Sequence, residues 1–355
     1  MRVLIKEALS KLIEKQDLSE QEVEACALEI AKGEATPAQV GAFLTALKLK
    51  GEGEKEVAAF ARVMRSLCIR VDLGDPEKLV DTAGTGGDSL KTFNVSTASA
   101  LVLAASGVRV AKHGNRAVSG KSGSADLLEA FGVKIELDQA GVKRCFESAG
   151  IAFLFAPLFH PAMRNVANIR RELGFRTVFN LLGPLTNPAG AKRQLLGVAT
   201  LPALSLVSKA LSTLDTKKAY VVHGLDGLDE VSVSAPTVVN IVEDGLLSEK
   251  VVTPELLGLK RFENRLLACS SVEESVKKVY GVLSGRLKRD SASVAFVAAN
   301  AGVGFVVADR AKDEKEGVEI ALETIASGKA VETLRRLIVA SGGSTQKLEE
   351  LEKVA

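Results

Sequence analysis

The strongest constraint on this 355-residue chain is a change of hydrophobic period at Asp75-Pro76. Before it, apolar residues recur only at helical spacing. One face is Leu4, Ile5, Ala8, Leu9, Leu12 and Ile13; another is Val40, Phe43, Leu44 and Leu47; a further one is Val57, Phe60, Ala61, Met64 and Leu67. Ser19 with Glu22 forms a capping box, and Gly33 supplies a stop. Thr36-Pro37 with Gln39 caps the next helix, which ends at Gly51. After Pro76, short apolar runs at 79–81, 108–112, 151–155 and 220–223 alternate with helical segments at 97–106, 125–131, 138–149 and 203–214. That alternation predicts a mostly parallel sheet with helices on both faces. Val238–Val242, Asp244-Gly245 and Leu246–Val252 read as a late hairpin, and the last 80 residues as mostly helical. The fold class is therefore α/β, with a small all-helical N-terminal domain (1–70) and a larger α/β domain (75–355). The apolar faces of the first 70 residues are expected either to close a small domain or to bury against a second subunit.

Composition removes several functions. The 46 Lys+Arg against 44 Asp+Glu leave a net charge of +2, so no global field draws the chain to nucleic acid or to an anionic membrane. The 31 glycines and the lack of Trp point to anion sites built from backbone rather than base-stacking platforms. Cys26, Cys68, Cys145 and Cys269 lie far apart, which argues for reduced cytosolic thiols rather than a zinc ribbon. The stretches 92–108 and 291–308 carry no charge, but Asn94, Ser96, Thr97, Ser99 and Asn300 mark them as buried helices, not membrane spans. The N-terminus is charged too early for a signal peptide, and the protein is expected to be cytoplasmic.

Four motifs sit where runs of apolar residues end. Asp81-Thr82-Ala83-Gly84-Thr85-Gly86-Gly87-Asp88 allows backbone amides to converge on a phosphate, with a helix N-terminus near Asn94–Thr97. A dinucleotide fingerprint fits poorly, because its third glycine is missing. The run 112–126, KHGNRAVSGKSGSAD, gathers Lys112, Arg116 and Lys121 among glycines and hydroxyls. It fails the Walker A spacing but suits a pyrophosphate. Arg170, Arg171 and Arg176 precede Gly183-Pro184 and can bind a carboxylate. His223-Gly224-Leu225-Asp226-Gly227-Leu228-Asp229-Glu230 puts adjacent carboxylates on a loop, which suits Mg2+. Together these motifs fit a magnesium-dependent enzyme acting on a pyrophosphorylated substrate better than an ATPase or a dehydrogenase.

The runs GTGGD, NVST, KHGNRAVSGKSGSAD, RTVFNLLGPLTNP and HGLDGLDE, in this order, resemble the anthranilate phosphoribosyltransferases from end to end. The resemblance implies tryptophan biosynthesis: phosphoribosyl pyrophosphate plus anthranilate gives phosphoribosyl-anthranilate and pyrophosphate. By position it implies phosphoribosyl pyrophosphate contacts at Gly84, Gly87, Asp88, Thr92, Asn94, Val95, Ser96, Thr97, Lys112, His113, Gly114, Asn115, Arg116, Ala117, Val118, Ser119, Gly120 and Ser124. It implies anthranilate contacts at Gly84, Asn115 and Arg170, with His113, His160 and Gly183-Pro184 near the substrate path. It implies Mg2+ ligands at Ser96, Asp229 and Glu230. It also implies a nucleoside phosphorylase/phosphoribosyltransferase-like fold, with helices from about 160–180 joining the helical domain, and a homodimer formed through that domain. No discrete acid or base is implied. Lys112 gives electrostatic support to a leaving group that gathers negative charge. A pyrimidine nucleoside phosphorylase would share the fold but has no pyrophosphate for the Asp229-Glu230 pair to hold through metal. A nucleic-acid-binding relative would need a basic stripe and eroded motifs.

Overall fold

The computed structural model describes residues 5–87, 90–117 and 122–354. Leu4, Asp88, Val118, Ser119, Gly120 and Lys121, all named above, lie outside the described residues. Four helices open the chain: α1 (Ile5–Ile13), α2 (Glu20–Ala31), α3 (Pro37–Lys50) and α4 (Glu54–Leu67). Both expected capping boxes form. The Ser19 hydroxyl accepts from the Glu22 amide while the Glu22 carboxylate accepts from the Ser19 amide at 2.9 Å; Thr36 and Gln39 repeat the exchange. Gly51 ends α3 at φ 93°, which a side chain would strain. Ile13 departs from the expected face of α1 and is 69% exposed. Eight helical steps carry it about 80° round the axis from Ile5.

Phe43 and Leu44 lie in the interior of the chain itself, at 0% and 1% exposure. These two side chains are therefore buried within the chain rather than against a second subunit. The Phe60 ring lies between Phe43 (6.1 Å between centroids) and Phe179 (5.8 Å, edge-on). The apolar faces are thus filled by later segments of the same chain. Phe43→Glu is expected to cost on the order of 4 kcal/mol or more by burying an unpaired charge. Loss of the cooperative thermal transition, followed by circular dichroism, would show it; an unchanged melting temperature would place Phe43 outside the core.

The α/β part follows in the order β1 (Leu79–Gly84), α5 (Val95–Ala105), β2 (Arg109–Gly114), α6 (Ser124–Ala130), α7 (Gln139–Ala149) and β3 (Ile151–Phe155). The chain then crosses back through α8 (Ala156–Phe159), α9 (Arg164–Leu173) and α10 (Phe179–Leu182). Here α9 packs on α2 and α3, and α10 on α4. Next come β4 (Arg193–Gly197), α11 (Leu201–Ser212), β5 (Lys218–Gly224), β6 (Thr237–Glu243) and β7 (Leu246–Val252). Five helices complete the chain: α12 (Val272–Leu283), α13 (Ala292–Val307), α14 (Glu314–Ala326), α15 (Lys329–Ser341) and α16 (Gln346–Val354).

The seven strands form one sheet in the order β3-β2-β1-β4-β5-β6-β7. β1 to β5 run parallel and β6 and β7 antiparallel. The hairpin is thus an extension of the same sheet. It turns through Asp244 (φ 49°) and Gly245 (φ 81°), the left-handed pair that a tight two-residue connection requires. The uncharged stretches are α5 and α13, packed on each other under the sheet. The other face carries a second core. It joins α1–α4 to Val166, Phe179 and Leu182, and also to Leu196, Val207, Leu211 and Val221 of β4, α11 and β5. The helical unit is closed by the sheet's own helix and strands, so its core is not self-contained.

Candidate active site

The chain leaves β1 towards β2 on one side and leaves β4 towards β5 on the other, so β1 and β4 flank the switch point of the sheet. The motifs cluster at the carboxyl ends of these strands. The Thr85 amide donates to the Gly197 carbonyl at 2.9 Å, which draws the glycine loop over the end of β4. Gly86 and Gly87 take φ of 61° and 95°. The Arg176 guanidinium donates to the Thr85 carbonyl at 2.8 Å and fills the space that a Cβ on Gly87 would need. Gly87→Val is therefore strained by its φ and displaces the Arg176 guanidinium from the loop. We expect a rise in the KM for phosphoribosyl pyrophosphate of at least about tenfold, with a small fall in melting temperature. An unchanged KM would separate the loop from phosphate binding.

Asp229 joins this loop from the end of β5. Its carboxylate lies where a Cβ on Gly84 would sit in close contact, and it accepts from the Gly86 amide. Burial raises its pKa, against the pull of those amides and of Arg176. Gly197 makes the approach possible, because a Cβ there would overlap the Asp229 backbone carbonyl. Asn300 of α13 fixes Val231, two residues on from Asp229. Its amide donates to the Val231 carbonyl (3.0 Å) and its oxygen accepts from the Val231 amide (2.9 Å). A fully satisfied Asn inside an apolar helix thus positions the carboxylate loop. Asp226 does not join the pair; it turns to Ser232 (2.7 Å) and Asn264 (2.9 Å).

Lys112 is 2% exposed and reaches from β2 towards β1. Its ammonium donates to the Thr82 carbonyl and lies 3.4 Å from the Ser96 hydroxyl. Burial lowers its pKa, while Asp81 and Glu230 are near enough to oppose that. Ser96 and the Glu230 charge thus both lie near Lys112, and Asp229 adjoins Glu230 in the chain. Their carboxylate and hydroxyl oxygens are the hard donors that Mg2+ prefers. No group of three or more Asp, Glu, His or Cys forms a closed metal cage among the described residues. Such a donor set suits an ion that takes its remaining ligands from substrate and water.

Asn94 ties the Ser122 loop to α12, accepting from the Ser122 and Ser275 hydroxyls at 2.7 and 2.9 Å. Val95 is buried at the head of α5, and the buried Thr97 hydroxyl has no partner among the described residues. Thr92 pairs with Ala268 in an isolated bridge. A Cβ on Gly114 would overlap the Ser124 hydroxyl, which donates to the Asn115 carbonyl at 3.3 Å. Asp126 accepts from both the Ala117 and Gly123 amides, holding the two ends of the loop between them. The Arg116 side chain pairs with Asp126 and Glu129 and lies over the Phe155 ring.

Arg170 of α9 is half-buried, with its guanidinium 5.7 Å from the Phe179 ring centre. Burial and Arg176 lower its pKa. Among the described residues it has no carboxylate partner; the salt bridge to Glu172 that would have made it structural does not form, whereas Arg171 donates to Asn168 at 2.8 Å. The His113 and His160 rings lie 5.0 Å apart, tilted at 53°, beside Gly183, whose carbonyl lies 3.0 Å from His113 Nδ1. Burial, then the neighbouring His160, drops the pKa of His113 to about 3; burial drops that of His160 to about 4. Both rings are neutral at pH 7, and among the described residues His113 Nε2 has no partner.

Two family models cover nearly all of this architecture. The glycosyl transferase family helical bundle domain matches residues 6–68, and the glycosyl transferase family a/b domain matches 76–331. The anthranilate phosphoribosyltransferase of Aquifex aeolicus is 48% identical over 94% of this chain and 98% of its own length. The chain belongs to the anthranilate phosphoribosyltransferases. The Halorhodospira halophila anthranilate phosphoribosyltransferase is also 48% identical, over 93% of this chain and 96% of its own length. Among solved structures, the anthranilate phosphoribosyltransferase of Thermus thermophilus superposes with a TM-score of 0.87 at 42% identity, covering 94% of this chain and 99% of that one. The Saccharomyces cerevisiae anthranilate phosphoribosyltransferase, in complex with PRPP and Mg, gives 0.87 at 28% identity, covering 95% and 98%.

Proposed function

We propose that the chain transfers the 5-phosphoribosyl group of phosphoribosyl pyrophosphate to the amine of anthranilate, giving N-(5-phosphoribosyl)anthranilate and pyrophosphate in tryptophan biosynthesis. One observation carries this reading most directly: a buried carboxylate, Asp229, packed against a glycine loop, with Arg170, free of carboxylate partners among the described residues, on the helical side of the cleft. The glycine amides, Asn94, the head of α5 and the loop from Lys112 to Ser124 receive the phosphates. Ser96, Asp229 and Glu230 hold Mg2+, which screens the pyrophosphate charge as that group leaves. Arg170 and Asn115 orient anthranilate. The C1′–O bond breaks as the C1′–N bond forms, and the amine proton is released. The aryl amine is uncharged at neutral pH, so positioning and electrostatics replace a strong base. Lys112 aids departure of pyrophosphate from the β2 side.

We further place the enzyme in the cytoplasm as a homodimer. Four free cysteines, three of them buried, accord with a reducing compartment. Among the described residues no helix is long and apolar enough to cross a membrane. The test is direct: purified protein with Mg2+, phosphoribosyl pyrophosphate and anthranilate should quench anthranilate fluorescence. No loss, together with release of base from thymidine and phosphate, would overturn the reading.

A further inference from the structure

β1 and β2 part early. They pair only at Leu79↔Arg109 and Val80↔Val110, although both strands continue for four more residues. On their outer sides each stays fully paired, β1 with β4 as far as Gly84 and β2 with β3 as far as Gly114. Parallel strands leave unpaired backbone groups where they separate, and buried ones need partners. Side chains supply them. Asp81 Oδ1 accepts from the His113 amide at 3.1 Å, Asn187 donates to the Ala111 carbonyl at 2.8 Å, and Lys112 donates to the Thr82 carbonyl. Asn187 also donates to Asp81 Oδ2 at 2.8 Å, and its oxygen accepts from the Ala189 amide at 2.9 Å. Asp81, Lys112 and Asn187 are exposed by 0%, 2% and 3%.

We propose that Asp81 and Asn187 form a polar wedge that holds β1 and β2 apart at the cleft, making Asp81 a positioning residue for phosphoribosyl pyrophosphate. The wedge sets the spacing between the Gly84–Gly87 loop on β1 and Lys112 on β2, the two groups that face the same pyrophosphate. It leaves Arg170, on the far α9, untouched. Both Asp81 oxygens accept, which an amide cannot reproduce: Asn at 81 would turn an N–H towards another donor. Burial holds the Asp81 carboxyl at about 6, and the nearby Lys112 charge opposes that rise.

The proposal rests on the phosphoribosyl transfer reading, and its test has an arm that does not. Asp81→Asn is expected to raise the KM for phosphoribosyl pyrophosphate about tenfold or more and that for anthranilate less than about threefold. Asp81→Asn with Asn187→Asp restores the 81–187 hydrogen bond and the buried charge but gives up the donor to the Ala111 carbonyl, so a partial recovery of that loss is expected. Amide hydrogen exchange at His113 should be faster in Asp81→Asn, whatever the chain catalyses. Should the single variant fail to fold, Asn187→Ser breaks the same link without burying an unmatched donor at 81, and the same split is expected. Equal rises in both KM values, or no recovery in the double variant, would make Asp81 merely structural and overturn the wedge. An inactive wild type that still shows the exchange difference would sink the transfer reading instead.

Discussion

Replacing Asp229 and Glu230 together by Asn and Gln is expected to lower turnover by roughly two to three orders of magnitude. The amides keep the size of the side chains and lose the charge that an ion needs. Folding should survive, because Asp229 is a buried carboxylate whose ionisation is already opposed by burial. An Asn oxygen at 229 still accepts from the Gly86 amide. The variant should also need far more Mg2+ for half-maximal rate. Steady-state turnover against Mg2+ concentration, with a melting curve as control, checks both points. Wild-type turnover at limiting Mg2+ would remove these residues from the metal site.

Arg170→Ala is expected to raise the KM for anthranilate by at least about tenfold and to leave that for phosphoribosyl pyrophosphate nearly unchanged. Losing one partner of a desolvated charge pair costs roughly 2–5 kcal/mol, and the half-burial of Arg170 favours the lower end. Lys at 170 should rescue poorly, since a single ammonium cannot make two parallel hydrogen bonds to one carboxylate. Aniline, which has no carboxylate, should react no worse with the variant than with the wild type. Arg170 has no ion pair to lose among the described residues, so the melting temperature should move little. Unchanged anthranilate binding would shift the role to Arg176, which already crosses the glycine loop.

Much of this was readable in the chain because local rules and tertiary needs agree. Caps at Ser19 and Thr36, the Asp244-Gly245 turn and the apolar run of β3 each have one cheap conformation, and each appears where the pattern predicts. β4 was not legible. Its five residues start with Arg193 and Gln194, and the buried Gln194 is tolerated only because its amide donates to the Pro184 carbonyl. The site motifs were visible as phosphate and metal loops, since glycine runs and adjacent carboxylates carry their chemistry locally. The groups that hold those loops were not. Asp81, Asn187, Asn300 and Gly197 act through partners 30 to 110 positions away, and one sequence shows no such pairing. Asn300 did leave a trace, as one amide in a long uncharged helix. The turning of Arg116 towards Glu129 left none.

The shared second core has a consequence for how the chain is made. Residues 5–67 leave the ribosome before the segments that complete their core, which lie at 166–185 and in β4, α11 and β5. At the usual pace of synthesis those segments follow after roughly ten to thirty seconds. For that interval the nascent bundle carries an open apolar seam, a surface that chaperones bind and that neighbouring nascent chains can join. Truncation near residue 70 should therefore yield an insoluble fragment, and slow translation between α4 and β5 should lower the yield of active enzyme more than the same delay after β7.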